Sequence, residues 1–193
     1  MDKPTNRTSA LKYAANYAPY LAVFLLVRFA AEVCMHSCSQ LLLVFLPCLL
    51  LYVGLSVAVP FYAYSLLKKY QAQEEQVTAY SFTVFLFLFA SLIVCLCQYV
   101  FYVYISPDYI DNLYQNLLVN IEITAKTYPN TAATLQQLVE NTTIPTSLQL
   151  ATDCIWNNAV AGAVLGLIYA MIIRFKQQKN TTNREHISSD TLV

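Results

Sequence analysis

The sequence is short of charge, of glycine and of histidine. Asp, Glu, Lys and Arg make up 11% of its 193 residues, against roughly a quarter in soluble globular domains. Beside a hydrophobic content of 58%, that shortage excludes an ordinary water-soluble fold. Three glycines supply no Gly-rich phosphate loop, and there is neither a nucleophile elbow nor a His-Glu metal helix. Of the two histidines, His186 lies in the tail, and His36 sits between Cys34 and Cys38. Helical geometry turns His36 away from both cysteines, so these three are not expected to hold a metal. The formal net charge is zero and no basic block is interleaved with aromatics, which sets nucleic-acid binding aside. Asp108 and Asp111 read as helix-cap and solvated residues rather than a catalytic pair. These absences together describe a non-enzymatic protein with no cofactor.

What is present is long apolar runs. Four segments, about 17–37, 41–64, 80–105 and 148–173, each supply the roughly 20 helical residues that cross a hydrocarbon core about 30 Å thick. The first runs on from Tyr17 to Val33 without a small-x-small cleavage site, so it reads as a retained span rather than a signal peptide. The expected fold is an all-α bundle of four transmembrane helices, one domain over residues 1–176. The Thr-, Asn- and Ser-rich residues 177–193 form a disordered cytoplasmic tail.

Lys3, Arg7 and Lys12 precede the first span, Lys68 and Lys69 follow the second, and Arg174, Lys176, Lys179 and Arg184 follow the fourth, while Lys126 stands alone on the other side. The positive-inside rule then makes both termini cytoplasmic, with a short outer turn near Ser37 to Gln40 and an outer segment over 106–147. Tyr13, Tyr17 and Tyr20 at one end, and Tyr99, Tyr102, Tyr104 and Trp156 at the other, read as interfacial belts. Ser106-Pro107-Asp108 predicts a helix from Pro107. Ile110, Leu113, Tyr114, Leu117, Leu118 and Ile121 recur on it at helical spacing as an amphipathic stripe. The stripe packs on a second short helix around Ala132 to Glu140, closing a hairpin, or else on the membrane surface or an envelope partner. Ile144-Pro145-Thr146 starts the last span afresh.

Charge inside a span is the exception to explain. Arg28 lies roughly 16 Å along the first helix from its inner boundary, and Glu32 follows one turn later, where the two can pair. At similar depth stand Gln98 in the third span and Asp153, Asn157 and Asn158 in the fourth. This polar cluster is either a dry clasp in which Arg28 and Glu32 touch, the favoured reading, or the lining of a cavity that opens outward and leaves a charge unpaired. Gly162, Gly166 and Ala170 continue a small-residue row from Cys154 and Asn158, as expected of close contact with an internal neighbour or with a second copy in a homodimer.

Six cysteines invite comparison with four-span thiol oxidants, but no Cys-x-x-Cys pair is present, and they read better as buried small hydrophobes. Thiol chemistry would need Cys34 or Cys38 beside Cys154. Pro47 and Pro60 place two potential bends in the second span, with nothing corresponding in the fourth.

From Tyr80-Ser81-Phe82, through the aromatic run Tyr99 to Tyr104 and Ile105-Ser106-Pro107-Asp108-Tyr109-Ile110, to a Gly-containing last span ending at Arg174 and Lys176, residues 80–176 resemble domain-of-unknown-function family 4199. That family comprises small four-helix membrane proteins of Bacteroidetes-type bacteria. The resemblance implies a bacterial inner membrane, residues 106–147 in the periplasm, and no particular reaction. The reading that follows is an interaction or assembly protein of the envelope, partnered by the bilayer and by an envelope protein at 106–147. The alternative is a small transporter or lipid-handling accessory built on the polar cavity.

Overall fold

The computed structural model describes residues 6–37, 42–71, 79–127 and 144–190. These are helical apart from short connections: α1 (Asn6–Ser37), α2 (Leu42–Gln71), α3 (Ala79–Val100) running into a π-helical turn (Phe101–Ile105), α4 (Tyr109–Thr127) and α5 (Ser147–Asp190). Four stretches are long and apolar enough to cross a membrane: Ala10–Ser37, Leu43–Gln71, Ala79–Ile105 and Ser147–Lys176. An apolar solvent leaves every unpaired backbone N–H and C=O costly, and a helix satisfies them within itself. Span positions therefore follow from the apolar runs. The first starts earlier than the sequence suggests and the second ends later, because Ala10, Tyr13 and Ala14 before the first and Leu66, Leu67 and Tyr70 after the second extend the packed faces.

α3 is the centre of the assembly. It packs along α1 on one side and α5 on the other, and α2 lies mainly against α1. The core concentrates towards the end that carries the chain termini: Ala10, Ala14, Ala18, Leu21 and Ala22 of α1 meet Ala63, Leu66, Leu67 and Tyr70 of α2 and Phe82, Leu86, Phe87 and Ala90 of α3. The alanines repeat every four residues, so a smooth stripe of α1 lets neighbouring helices come close. Tyr70 stacks on Phe82 with ring centres 4.7 Å apart and tilts against Tyr13 at 5.2 Å. Tyr13 and Tyr17 pack on the core while remaining partly exposed, whereas Tyr20, Tyr104 and Trp156 stay exposed. The buried hydroxyls of Thr83 and Ser91 donate to the carbonyls of Ala79 and Leu88 in their own helix, at 2.8 Å each, so neither is orphaned.

The glycine row answers one question the sequence left open. A Cβ on Gly162 would lie 2.7 Å from the Phe87 Cβ, and one on Gly166 would meet Tyr80 at 3.1 Å. Ala170 also packs on the core. The row is filled by α3 of the same chain rather than offered to a second copy.

Two local features set the far end. Pro107 forces the residue before it out of helical geometry, and Ser106 duly sits at φ −143° and ψ 73°, with its N–H donated to the Phe101 carbonyl at 2.9 Å. The helix expected from Pro107 begins at Tyr109, with the Asp108 carbonyl accepting the Asn112 N–H at 2.9 Å. At the start of α5, Thr146 and Gln149 form a reciprocal capping box: the Gln149 N–H donates to Thr146 Oγ1 at 3.2 Å, and the Thr146 N–H to Gln149 Oε1 at 2.9 Å.

Three expectations change. α5 continues as helix through residues 177–190, where a disordered tail was expected, because no glycine or proline interrupts the chain after Lys176. The α4 stripe is narrower than the sequence pattern: Ile121 is buried and Ile110, Tyr114 and Leu118 are half-buried, but Leu113 and Leu117 are exposed. They fall on the flank of the row made by the other four. Cys34 and Cys97 are exposed rather than buried. The turn near Ser37 to Gln40 beyond Ser37, the helix around Ala132 to Glu140, Cys38 and residues 191–193 lie outside the described residues.

The glycines yield a paired prediction. Gly162→Ala overpacks the α3–α5 contact and lowers stability by about 1–3 kcal/mol. Gly54→Ala, where a Cβ meets nothing within 4 Å, is neutral or stabilises by up to about 1 kcal/mol through helix propensity. Thermal unfolding in detergent measures both; equal shifts would contradict the packing described.

Candidate functional site

Where the core thins, away from the chain termini, a pocket of about 390 Å³ lies between the helices. All six residues of the cluster expected from the sequence line it: Arg28 and Glu32 from α1, Gln98 from α3, and Asp153, Asn157 and Asn158 from α5. Helical spacing explains each contribution. Leu25, Arg28, Phe29 and Glu32 share one face of α1, as do Leu150, Asp153, Cys154, Asn157 and Asn158 of α5. Asp153 and Asn157 are exposed and form the rim, while Arg28, Glu32, Gln98 and Asn158 are partly buried.

The expected ion pair is absent. Arg28 and Glu32 do not pair; the Arg28 guanidinium instead donates from Nη2 to the Tyr52 hydroxyl of α2 at 2.9 Å, with its carbon 4.9 Å from the centre of the Tyr52 ring. The reason is competition. An i, i+4 pair on one helix contributes only a few tenths of a kcal/mol. A hydrogen bond to a charged group contributes about 1.5–3 kcal/mol, and a cation over a ring about 0.5–2 kcal/mol. Those two contributions together match the roughly 2.5–3.5 kcal/mol that a central arginine costs in a span. Tyr52 was missed because it lies on a different span in an otherwise apolar stretch. Its signal would have been a lone hydroxyl at a depth comparable to Arg28.

The other polar groups are under-satisfied. Gln98 Oε1 is buried without a hydrogen-bond partner, an arrangement that costs about 1–3 kcal/mol when nothing fills it. Asn158 Nδ2 donates to the Cys154 carbonyl at 2.8 Å and to its Sγ at 3.2 Å. Among the described residues, Glu32 and Asp153 accept no hydrogen bond. The pocket thus holds one arginine tethered at a single point and two carboxylates with open valence.

Aromatic rings wall the pocket at its α4 side. Phe29 meets Phe101 and Tyr102 edge-on at 5.4 and 5.9 Å, and Tyr109 meets the same two rings at 5.5 and 5.9 Å. The π-helical turn makes this possible, because its extra residue per turn re-aims Tyr102 into the pocket. Burial, and after it the charge of Glu32, pushes Tyr109 up to about 12. Among the described residues, Cys154 lines the pocket, Cys34 is exposed and does not line it, and no cysteine forms a disulfide, while Cys38 lies outside the described residues. No cluster of three potential metal ligands occurs among the described residues.

The family described as "Protein of unknown function (DUF4199)" matches residues 16–174. The chain belongs to this family. The DUF4199 match extends the resemblance seen over residues 80–176 to all four spans, and it contains every pocket residue. No curated protein and no solved structure matches the chain.

Tyr109 gives a pH prediction. Its folded value of about 12 lies above the ordinary 10.0, so its contribution is fully present below pH about 10 and is lost as pH rises through about 12. The unfolding midpoint of the wild type therefore falls more steeply across this window than that of Tyr109→Phe. Identical slopes would show that Tyr109 ionises as freely as an exposed tyrosine.

Proposed function

We propose that this DUF4199 protein is a non-enzymatic, multi-pass protein of a bacterial inner membrane, with a polar pocket that binds a small polar ligand. The observation that carries the reading is the failure of Arg28 and Glu32 to pair while six polar side chains from three helices face one 390 Å³ space. A dry clasp would have joined those charges, since removing two charges from water is tolerable only when each is matched. The arrangement fits the alternative drawn from the sequence, a transporter or lipid-handling accessory, better than the clasp. In the orientation given by the lysine and arginine distribution, both termini are cytoplasmic, and the pocket and α4 lie towards the periplasm.

A second reading keeps α4 as a docking element for an envelope partner, supported by the exposed Leu113, Leu117, Val119 and Ile123. The two readings are compatible, because α4 is joined to the pocket wall through Tyr109.

Solvent access tests the pocket. Glu32→Cys and Asp153→Cys, each in a background lacking other cysteines, should react with a membrane-impermeant thiol reagent from the periplasmic side, and Leu86→Cys in the core should not. Unfolding curves establish that each variant is folded. Folded variants that stay unlabelled at both pocket positions would sink the proposal.

A further inference from the structure

Resting on that reading, the donor and acceptor inventory of the pocket specifies the chemistry of its ligand. Open acceptors dominate: the carboxylates of Glu32 and Asp153, the buried Gln98 Oε1 and the Asn158 oxygen. Against them stands one cation, Arg28, which spends one of its five donors on Tyr52 and keeps the rest. A purely anionic ligand would satisfy Arg28 but bring its charge beside two carboxylates. A purely cationic ligand would do the reverse and, by displacing water from the pocket, leave the guanidinium without a counter-charge. A neutral polyol would leave three charges without counter-charge.

We infer that the pocket takes a zwitterion, with an anionic oxygen group on the Arg28 side and a primary ammonium on the Glu32 and Asp153 side. The ammonium must carry N–H donors, as a primary one does. Gln98 Oε1 is buried and lacks a donor, and three N–H groups can serve it together with a carboxylate, whereas a quaternary ammonium donates nothing. Tyr52 holds the guanidinium by its hydroxyl and ring face, which fixes where the anionic end sits. A phosphoethanolamine group has this pattern, either on a membrane phospholipid or on a soluble glycerol ester.

The test uses the full chain in phosphatidylcholine nanodiscs, titrated calorimetrically with glycerophosphoethanolamine and with glycerophosphocholine. Saturable binding of the first, weakened about tenfold or more for the second, is expected. Arg28→Gln and Glu32→Gln should each weaken binding of the first by a similar factor while melting like the wild type. If either variant fails to fold, the comparison of the two esters on the wild type decides alone. Repeating the titration in phosphatidylethanolamine nanodiscs separates the sources. Loss of the soluble ester's binding there means that the lipid headgroup already occupies the pocket, and unchanged binding means that the soluble form is the ligand. Equal affinity for the two esters, or no binding of either, overturns the zwitterion assignment. With Glu32→Cys and Asp153→Cys labelling positive, such a result leaves the polar pocket standing and removes only its ligand class.

Discussion

A Cβ at Gly162 would lie 2.7 Å from that of Phe87, so α3 and α5 meet at this point only because one of the two residues has no side chain. The other contacts of the bundle depend on that approach. It brings Phe82, Leu86 and Phe87 of α3 between the alanine stripe of α1 and the small-residue row of α5, and it seats Tyr169 where its hydroxyl reaches the Pro60 carbonyl of α2 at 2.6 Å. Apolar helices in a bilayer gain little from hiding hydrophobic surface, so close packing and a few hydrogen bonds must hold them together. Both are concentrated in the half of the bundle near the chain termini.

The opposite half is polar for the complementary reason. There α1 presents Arg28 and Glu32, α3 presents Gln98, and α5 presents Asp153, Asn157 and Asn158 in place of small residues. Long polar side chains cannot interdigitate like alanines and glycines, so the helices enclose space instead of closing it. Tyr52 keeps Arg28 from collapsing onto Glu32, and the π-helical turn after α3 sets Tyr102 in the wall beside Phe29. Packing at one end and vacancy at the other arise from one distribution of residue sizes along the same four helices.

Much of this was legible in advance. Apolar runs of span length mark the four helices, because backbone satisfaction in lipid leaves the chain little choice. Polar residues at matching depth on different spans identify the pocket, since each is too costly in lipid to stand alone. What was not legible shares one origin. The Arg28–Glu32 pair followed from the local i, i+4 rule, which takes no account of Tyr52 on another helix. The positions of Tyr13 and Tyr17 in the sequence suggest a belt but do not reveal that Tyr70 and Phe82 pack against them.

The sequence by itself determined the all-helical architecture, the span positions and the six polar residues at one depth, because each depends on contiguous residues and the physics of a single helix in an apolar medium. Only the tertiary structure decided which neighbour each side chain meets: α3 rather than a second copy at Gly162 and Gly166, Tyr52 rather than Glu32 at Arg28, and open space rather than a dry contact among the polar groups. Those outcomes depend on how far apart helices stand and how they are rotated, which is settled by the fit of side chains from separate segments.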